Sequence, residues 1–475
     1  MSRTDTRSAR STALRRYAET HHVDQIRPEA RYGGPWGQFV FWLGGNFNVF
    51  NVVLGAVVVE IGLAFWWALI AIGTGTVIGA VLIALHASQG PRLGVPQSIQ
   101  SRAQFGFYGS AWMFITVLVL NTGFIAAELV IQAQAMQGVV PGLSVPAWIV
   151  ILVIPSLVIC ALGYWWIHAA MRVTAVVVGI SVIVMLAQGL RHPLPASQTS
   201  LAAPHAGLFL AGVALLVIDL LSFGPFVSDY SRYLPARTSG TRLFAAIWTG
   251  NVISTFVSCA VGAYLAALLP NLAPVSAVGQ VSGKWALVMM CLSLVGANAF
   301  NAYTGSFQII SLAGMWRRLK PLLKPDSVAV RVIPSTAVMA AGTVIAVLGY
   351  RNFVTNLSNF LGFLLVVLIT WSAINLTDFY AIRHGSYDVA AFFDPDGGPY
   401  GKVAWPGLVA LATGIAAEFP FIAQPDYTGP LVARLGGADI SWIIGFIVPA
   451  AAYLLLTRRT RKAGRPGHLA AAPIA

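Results

Sequence analysis

Residues 121–134 read Asn-Thr-Gly-Phe-Ile-Ala-Ala-Glu-Leu-Val-Ile-Gln-Ala-Gln. On a helix Asn121, Phe124, Glu128 and Gln132 share one face, because residues three or four apart stack above one another. An aromatic ring one turn from a carboxylate suits a flat heterocycle: the ring stacks on it and the carboxylate accepts from its N–H groups. A buried carboxylate pairing with a neighbouring helix is the other reading of the same face. Asp219, about a turn from Phe223, repeats the pairing, with proton coupling and a structural hydrogen bond both open. Asn298 and Asn301 lie three apart on a further apolar run. Each amide offers a donor and an acceptor, which suits a ring edge carrying both, and helix-to-helix bonding accounts for at least one of the two.

A third cluster sits where lipid forbids it. The run from Phe39 to Val59 is apolar at both ends, yet its middle holds Gly44, Gly45, Asn46, Asn48 and Asn51. Amides and loosened backbone at that depth face protein or a water-filled cavity, since lipid supplies no hydrogen-bond partners. The reading is a helix broken near the midplane, with Asn48 as the ligand-facing amide. Carbonyls around Gly44, Gly45 and Phe47 are the candidate ion ligands. Gly224-Pro225 predicts a second break, because proline removes a donor and clashes with the preceding turn. Two more carboxylates fall in spans: Glu60, near an end, and Glu418 before Phe419-Pro420, which reads as structural.

These groups need a membrane scaffold to hold them. Of 475 residues 57% are hydrophobic and only 9% charged, against about 25% charged in soluble domains. About twelve apolar runs have the ~20 residues that cross a bilayer, centred near residues 50, 75, 120, 155, 180, 215, 255, 297, 340, 365, 412 and 447. Arg3, Arg7, Arg10, Arg15, Arg16, Arg27 and Arg31 precede the first run, and Arg317, Arg318, Lys320, Lys324 and the tail from Arg458 to Arg465 fall on the same side after alternate crossings. This bias predicts both termini in the cytoplasm and a multi-pass protein of the plasma membrane. The net charge of +13 is then a topology signal, not a nucleic-acid surface. The polar first residues show no cleavable signal peptide. Residues 1–37 and 458–475 read as cytoplasmic tails of one transmembrane domain, 38–457. Cys160, Cys259 and Cys291 all lie in apolar runs and read as core residues. The eight His are scattered without metal-ligand spacing, so an enzyme is not predicted.

Four further segments carry a likeness to known proteins. Arg102-Ala-Gln-Phe-Gly-Phe-Tyr-Gly109, Asp229-Tyr-Ser-Arg-Tyr-Leu-Pro235, Asp378-Phe-Tyr-Ala-Ile-Arg-His-Gly-Ser-Tyr-Asp388 and Tyr400-Gly-Lys-Val-Ala-Trp-Pro-Gly407 stand at the ends of spans. In that order they resemble the nucleobase–cation symporter family of cytosine, purine, uracil, thiamine and allantoin permeases. The resemblance implies an all-α fold of two inverted five-helix repeats, about 38–190 and 207–382, with helices 1 and 6 discontinuous. Two extra helices, about 403–457, follow. It implies import of a planar heterocycle sandwiched between aromatics of spans three and six, which align with Phe124 and Phe223. Glu128 aligns with the polar position one turn on, Asn301 with the span-eight amide, and Pro225 also matches.

This chain departs from the family where both stacking aromatics, usually Trp, are Phe, and where the polar position, commonly Asn or Gln, is Glu128. A carboxylate favours adjacent donors, hence an amino-bearing base such as cytosine, adenine or guanine, and it is also a candidate proton carrier. The family's sodium site uses first-span carbonyls and span-eight hydroxyls, and here Leu294 to Ala297 carry none, with Ser293 nearest. The expectation is a secondary active symporter working by alternating access, coupled to H+ or Na+, with no other cofactor. Its partners are a small substrate and the bilayer, with no nucleic acid and no obligatory protein. The alternatives are a symporter of allantoin, a hydantoin or a thiamine precursor, and an uncoupled facilitator or channel. Asp229 and Arg232 read either as a brace for the cytoplasmic gate or as a helix end satisfying its own backbone.

Overall fold

The computed structural model describes residues 24–162, 164–316 and 328–462. The predicted basic clusters at 3–16 and 317–324, and Arg465, lie outside them. The first span is two helices, α1 (Pro35–Asn46) and α2 (Val49–Glu60), bent by 59°. Asn48 makes the corner. Its backbone is extended, its Oδ1 caps α2 by accepting from Asn51 N (2.9 Å), and its Nδ2 donates to Gly45 O (3.1 Å). One side chain thus satisfies groups that both helix ends would leave orphaned.

The chain continues through α3 (Phe65–Ala87), α4 (Ala111–Val139), α5 (Val145–Leu162) and α6 (Tyr164–Gly189). The sixth span is split into α7 (Ala206–Leu221) and α8 (Gly224–Ser231). The interruption falls at Ser222 and Phe223, one step before the predicted Gly224-Pro225, which instead open α8. The physical reason is that proline disrupts the turn ahead of it and is tolerated in the first turn, where its missing N–H is not needed. Then come α9 (Gly240–Leu268), the short α10 (Pro274–Ser282), α11 (Lys284–Ala313), α12 (Val328–Gly349), α13 (Phe353–Leu376), α14 (Trp405–Glu418) and α15 (Ser441–Lys462). Among the described residues nine helices are long and apolar enough to cross a membrane, ten with the bent first pair. One of the nine, Val332–Ile382, has 51 residues, about 75 Å of helix, and holds both α12 and α13. The predicted eleventh span, α14, is the shortfall: fourteen residues extend only about 21 Å.

The packing exchanges partners between the two halves. α1 and α2 pack on α9 as α7 packs on α3; α4 packs on α5 and α12 as α11 packs on α12 and α5. Likewise α6 contacts α11 and α1 where α13 contacts α4 and α7. This is the pattern of a five-plus-five inverted repeat, with the α4–α11 pair at its centre. The α2–α9 crossing is the tightest. A Cβ on Gly262 would run into the Val52 carbonyl, and one on Gly55 into the Cys259 backbone. Backbone cannot step aside as a side chain can, so Gly262→Ala is expected to cost about 1–3 kcal/mol by overpacking. A melting curve of purified protein checks this, and an unchanged midpoint would refute the crossing.

Three of the four motifs at span ends meet one another. Phe107 N and Tyr108 N donate to Gly401 O (3.1 Å) and Lys402 O (2.8 Å), and Ala404 N returns a bond to Phe105 O (2.8 Å). Gly106 turns there at φ +83, with no room for a Cβ against Ala404 N. Arg102 is buried, donates to Phe392 O (2.6 Å) and lies over the Phe107 ring at 4.3 Å. Burial lowers its guanidinium to about 10, which leaves it charged at neutral pH. Asp378 lies in the first turn of a π-helical segment, Thr377–Ile382, ending the tenth span. Its buried carboxylate accepts from Gln104 Nε2 (2.7 Å), Arg383 Nε (3.1 Å), Tyr387 OH (2.9 Å) and Tyr453 OH (3.0 Å). Asp229 accepts from Gln97 N (3.0 Å), and Arg232 donates to Asp229 O and Asp24 O (each 3.3 Å) and lies over Tyr233. These residues build a scaffold at the span ends.

Candidate functional site: a cavity at the two helix breaks

The breaks in the first and sixth spans face one central cavity. Gly45, Asn46 and Asn48 line it from the first break, and Asp219, Ser222 and Phe223 from the second. The α4 face supplies Phe124 and Glu128, and α11 supplies Asn301. Seven of the predicted site residues (Gly45, Asn48, Phe124, Glu128, Asp219, Phe223 and Asn301) therefore come together, from stretches far apart in sequence.

Aromatic contacts hold the walls. Phe124 meets Phe50 at 5.4 Å and Phe360 at 5.7 Å, both edge to face. Phe223 meets Trp42 edge-on at 5.6 Å. Edge-to-face packing orients each ring beyond what apolar burial requires, so the two Phe are fixed before any ligand arrives. On the side of α1 and α8, Phe41 lies against Tyr230 at 4.5 Å, and Tyr230 stacks on Phe300 at 6.1 Å. That layer joins the two broken spans to α11.

The polar groups divide into those spent on packing and those facing the cavity. Asn298 Nδ2 donates to Gln132 Oε1 (2.7 Å), Gln132 Nε2 to Cys291 O (2.7 Å), and Thr304 Oγ1 to Asn121 Oδ1 (2.9 Å). These rungs fasten α4 to α11. Asn298 is thus spent on packing and is not among the cavity-lining residues. Ser293 behaves similarly, its hydroxyl donating to Met290 O (2.8 Å) within its own helix. Asn301 Nδ2 reaches both Glu128 oxygens at 3.4 Å, long contacts that leave the carboxylate with acceptor capacity. Asn48 borders the cavity, but its Oδ1 and one amide hydrogen are committed to the corner. Gly45 O receives that hydrogen, whereas Gly44 and Phe47 are not cavity-lining.

Trp42 is the site residue that sequence reasoning missed. Its ring is buried and lines the cavity, and its Nε1–H has no hydrogen-bond partner among the described residues. A buried indole N–H usually finds an acceptor. The signal was available in the spacing, since Trp42 lies four residues before Asn46 and shares its face. The cavity therefore offers a carboxylate acceptor and two aromatic rings, with the Trp42 indole beside them.

The chain is similar to known proteins along most of its length. Residues 25–445 match the profile of a family described as permease for cytosine/purines, uracil, thiamine, allantoin. A putative purine-cytosine permease of Bacillus subtilis, YxlA, is 35% identical over 451 residues, spanning 93% of this chain and 96% of the relative. The purine-cytosine permease fcyB of Emericella nidulans is 24% identical, over 87% and 83%. Among solved structures, Mhp1, a nucleobase-cation-symport-1 family transporter in a closed conformation with bromovinylhydantoin bound, superposes with a TM-score of 0.73. It is 17% identical, over 96% of this chain and 98% of that one.

Proposed function

Because the chain belongs to the family of permeases for cytosine/purines, uracil, thiamine and allantoin, we propose that it imports an amino-bearing nucleobase such as cytosine, adenine or guanine. The observation that carries this reading is the Glu128 carboxylate, buried one turn from Phe124 in a cavity that Phe223 also lines. A carboxylate only accepts, so it selects adjacent ring and amino N–H groups over carbonyls. Phe124 and Phe223 clasp the faces of the ring. Asn301 holds Glu128 in place, and the Trp42 N–H receives a ring carbonyl or unprotonated nitrogen. Asp219 takes part in ion coupling by H+ or Na+. The two repeats, about 38–190 and 207–382, rock about this midplane site so that it opens to one side at a time. The rings of Phe41, Tyr230 and Phe300 form the inner gate, with Asp229 and Arg232 bracing α8 behind them. The arginine-rich N-terminal segment supports a cytoplasmic position for both termini in the plasma membrane.

The test is a competition screen of labelled cytosine or adenine uptake by nucleobases, hydantoins, allantoin and thiamine precursors, with and without sodium. Amino-bearing bases should compete best. Competition by diketo rings or hydantoins alone would overturn the assignment. Stacking on one aromatic side chain contributes about 1–3 kcal/mol. Phe124→Ala and Phe223→Ala are each expected to weaken binding by about 5- to 150-fold. A loss below threefold in both variants would exclude the sandwich.

A further inference from the structure

Phe360, whose ring meets Phe124 at 5.7 Å, also lines a second cavity, a groove of about 690 Å³ between α4, α12 and α13. Two close approaches frame it. Gly342 of α12 sits so near α4 that a Cβ there would fall 2.6 Å from the Ile125 side chain. Beyond it α12 runs on to Gly349 and the chain turns at Tyr350–Asn352. α13 then returns until Phe360 covers Gly123, its ring 2.2 Å from where a Cβ would stand. Between the two approaches Ala126, Ala127 and Ala346 present only methyl groups, which leaves the space open.

The lining decides what can occupy it. Thr122 and Asn356 are its polar side chains, and they already donate to Leu118 O (2.7 Å) and Gly349 O (2.8 Å). Ordered water needs about two to four polar partners and finds few here. Val119, Ile345 and Leu348 line the groove and are 42, 50 and 80% exposed. All three lie in helices that cross the membrane, so hydrocarbon meets the open side. An apolar cavity of about 150 Å³ already holds benzene, and this one has room for a longer chain. Apolar contact alone does not retain that chain, because lipid tails are as apolar as leucine. Selection needs a headgroup contact. The turn that closes the groove carries Arg351, exposed, between the lining residues Gly349 and Phe353. Its Nε donates to Tyr350 OH (3.1 Å), and its NH2 groups form the fork that suits a phosphate.

We propose that the groove between α4, α12 and α13 binds one acyl chain of an anionic phospholipid, with the headgroup phosphate on Arg351. A chain seated there touches Phe360, the ring that backs Phe124. The inference depends on the membrane placement of these helices and not on which base is carried, so its test needs no nucleobase. Purified full-length protein is placed in phosphatidylcholine nanodiscs containing phosphatidylglycerol with a photoreactive diazirine on one acyl chain. After irradiation the labelled peptides are mapped by mass spectrometry. Labelling within 118–130 and 345–360 should exceed severalfold that of the exposed α6 face at Val173, Val176 and Ile180. Phosphatidylglycerol should label the groove about fivefold more than phosphatidylcholine bearing the same chain, the preference one surface arginine confers on an anionic headgroup. Ile345→Trp, which fills the groove from its exposed side, should bring labelling there down to the α6 level. Arg351→Gln, a surface change, should remove the headgroup preference. Groove labelling no higher than on α6 would overturn the proposal, as would equal labelling by the two lipids or a preference that Arg351→Gln leaves intact.

Discussion

Glu128→Gln is expected to lower affinity for an amino-bearing base by about 10- to 150-fold, because a hydrogen bond to a charged acceptor contributes about 1.5–3 kcal/mol. The change is isosteric, so the rungs that tie α4 to α11 through Gln132 and Thr304 stay intact. Only the chemistry of one cavity wall alters. The glutamine oxygen still accepts from Asn301, which turns the new NH2 group toward the ligand. A wall that only accepted now donates. The variant should therefore gain affinity for diketo rings such as uracil as it loses cytosine or adenine. This crossover separates recognition from damage, since a merely structural role for Glu128 predicts equal losses for all ligands. Uptake competition at matched expression reads both arms. Unchanged selectivity between amino and diketo rings would remove Glu128 from the recognition site.

Which parts of this cavity the sequence discloses follows from helix geometry. Phe124 and Glu128 are four residues apart, so a single helical face carries them both, and any packing that buries one buries the other. Asn298 and Asn301 are three apart, about 60° around the helix from each other. That rotation is enough to turn one toward the cavity and the other toward Gln132. Asn48 was legible as a break residue, but its use as a corner cap depends on which backbone groups the bend exposes. Trp42 was hidden because an aromatic in an apolar span has lipid as its default neighbour. In the first span, bent by 59°, Trp42 on α1 lies edge-on to Phe223. The family motifs were legible as an ordered set, yet not what they do. Residues 102–109 and 400–407 pair through backbone bonds across nearly three hundred intervening residues, a separation over which periodicity carries no information.

Asp378→Ala is expected to destabilise the fold by about 3–5 kcal/mol, the usual consequence of removing one partner of a buried ion pair. Asp378 is fully buried and receives donors from Gln104, Arg383, Tyr387 and Tyr453. Those donors come from the segment before α4, from the turn after α13 and from α15, so one carboxylate joins three parts of the chain. Deleting it leaves Arg383, its side chain only 13% exposed, without its counter-charge. Two phenolic hydroxyls also lose their acceptor. The double variant Asp378→Asn, Arg383→Gln removes both charges and should recover part of the lost stability, because the uncompensated cation is the larger share of the damage. Since the hub is not among the cavity-lining residues, whatever protein folds should bind ligand with unchanged affinity. Melting curves and ligand titrations on the same preparations separate the outcomes. A normal midpoint with lost transport would instead make Asp378 part of the moving machinery, with its donors exchanged as the site opens.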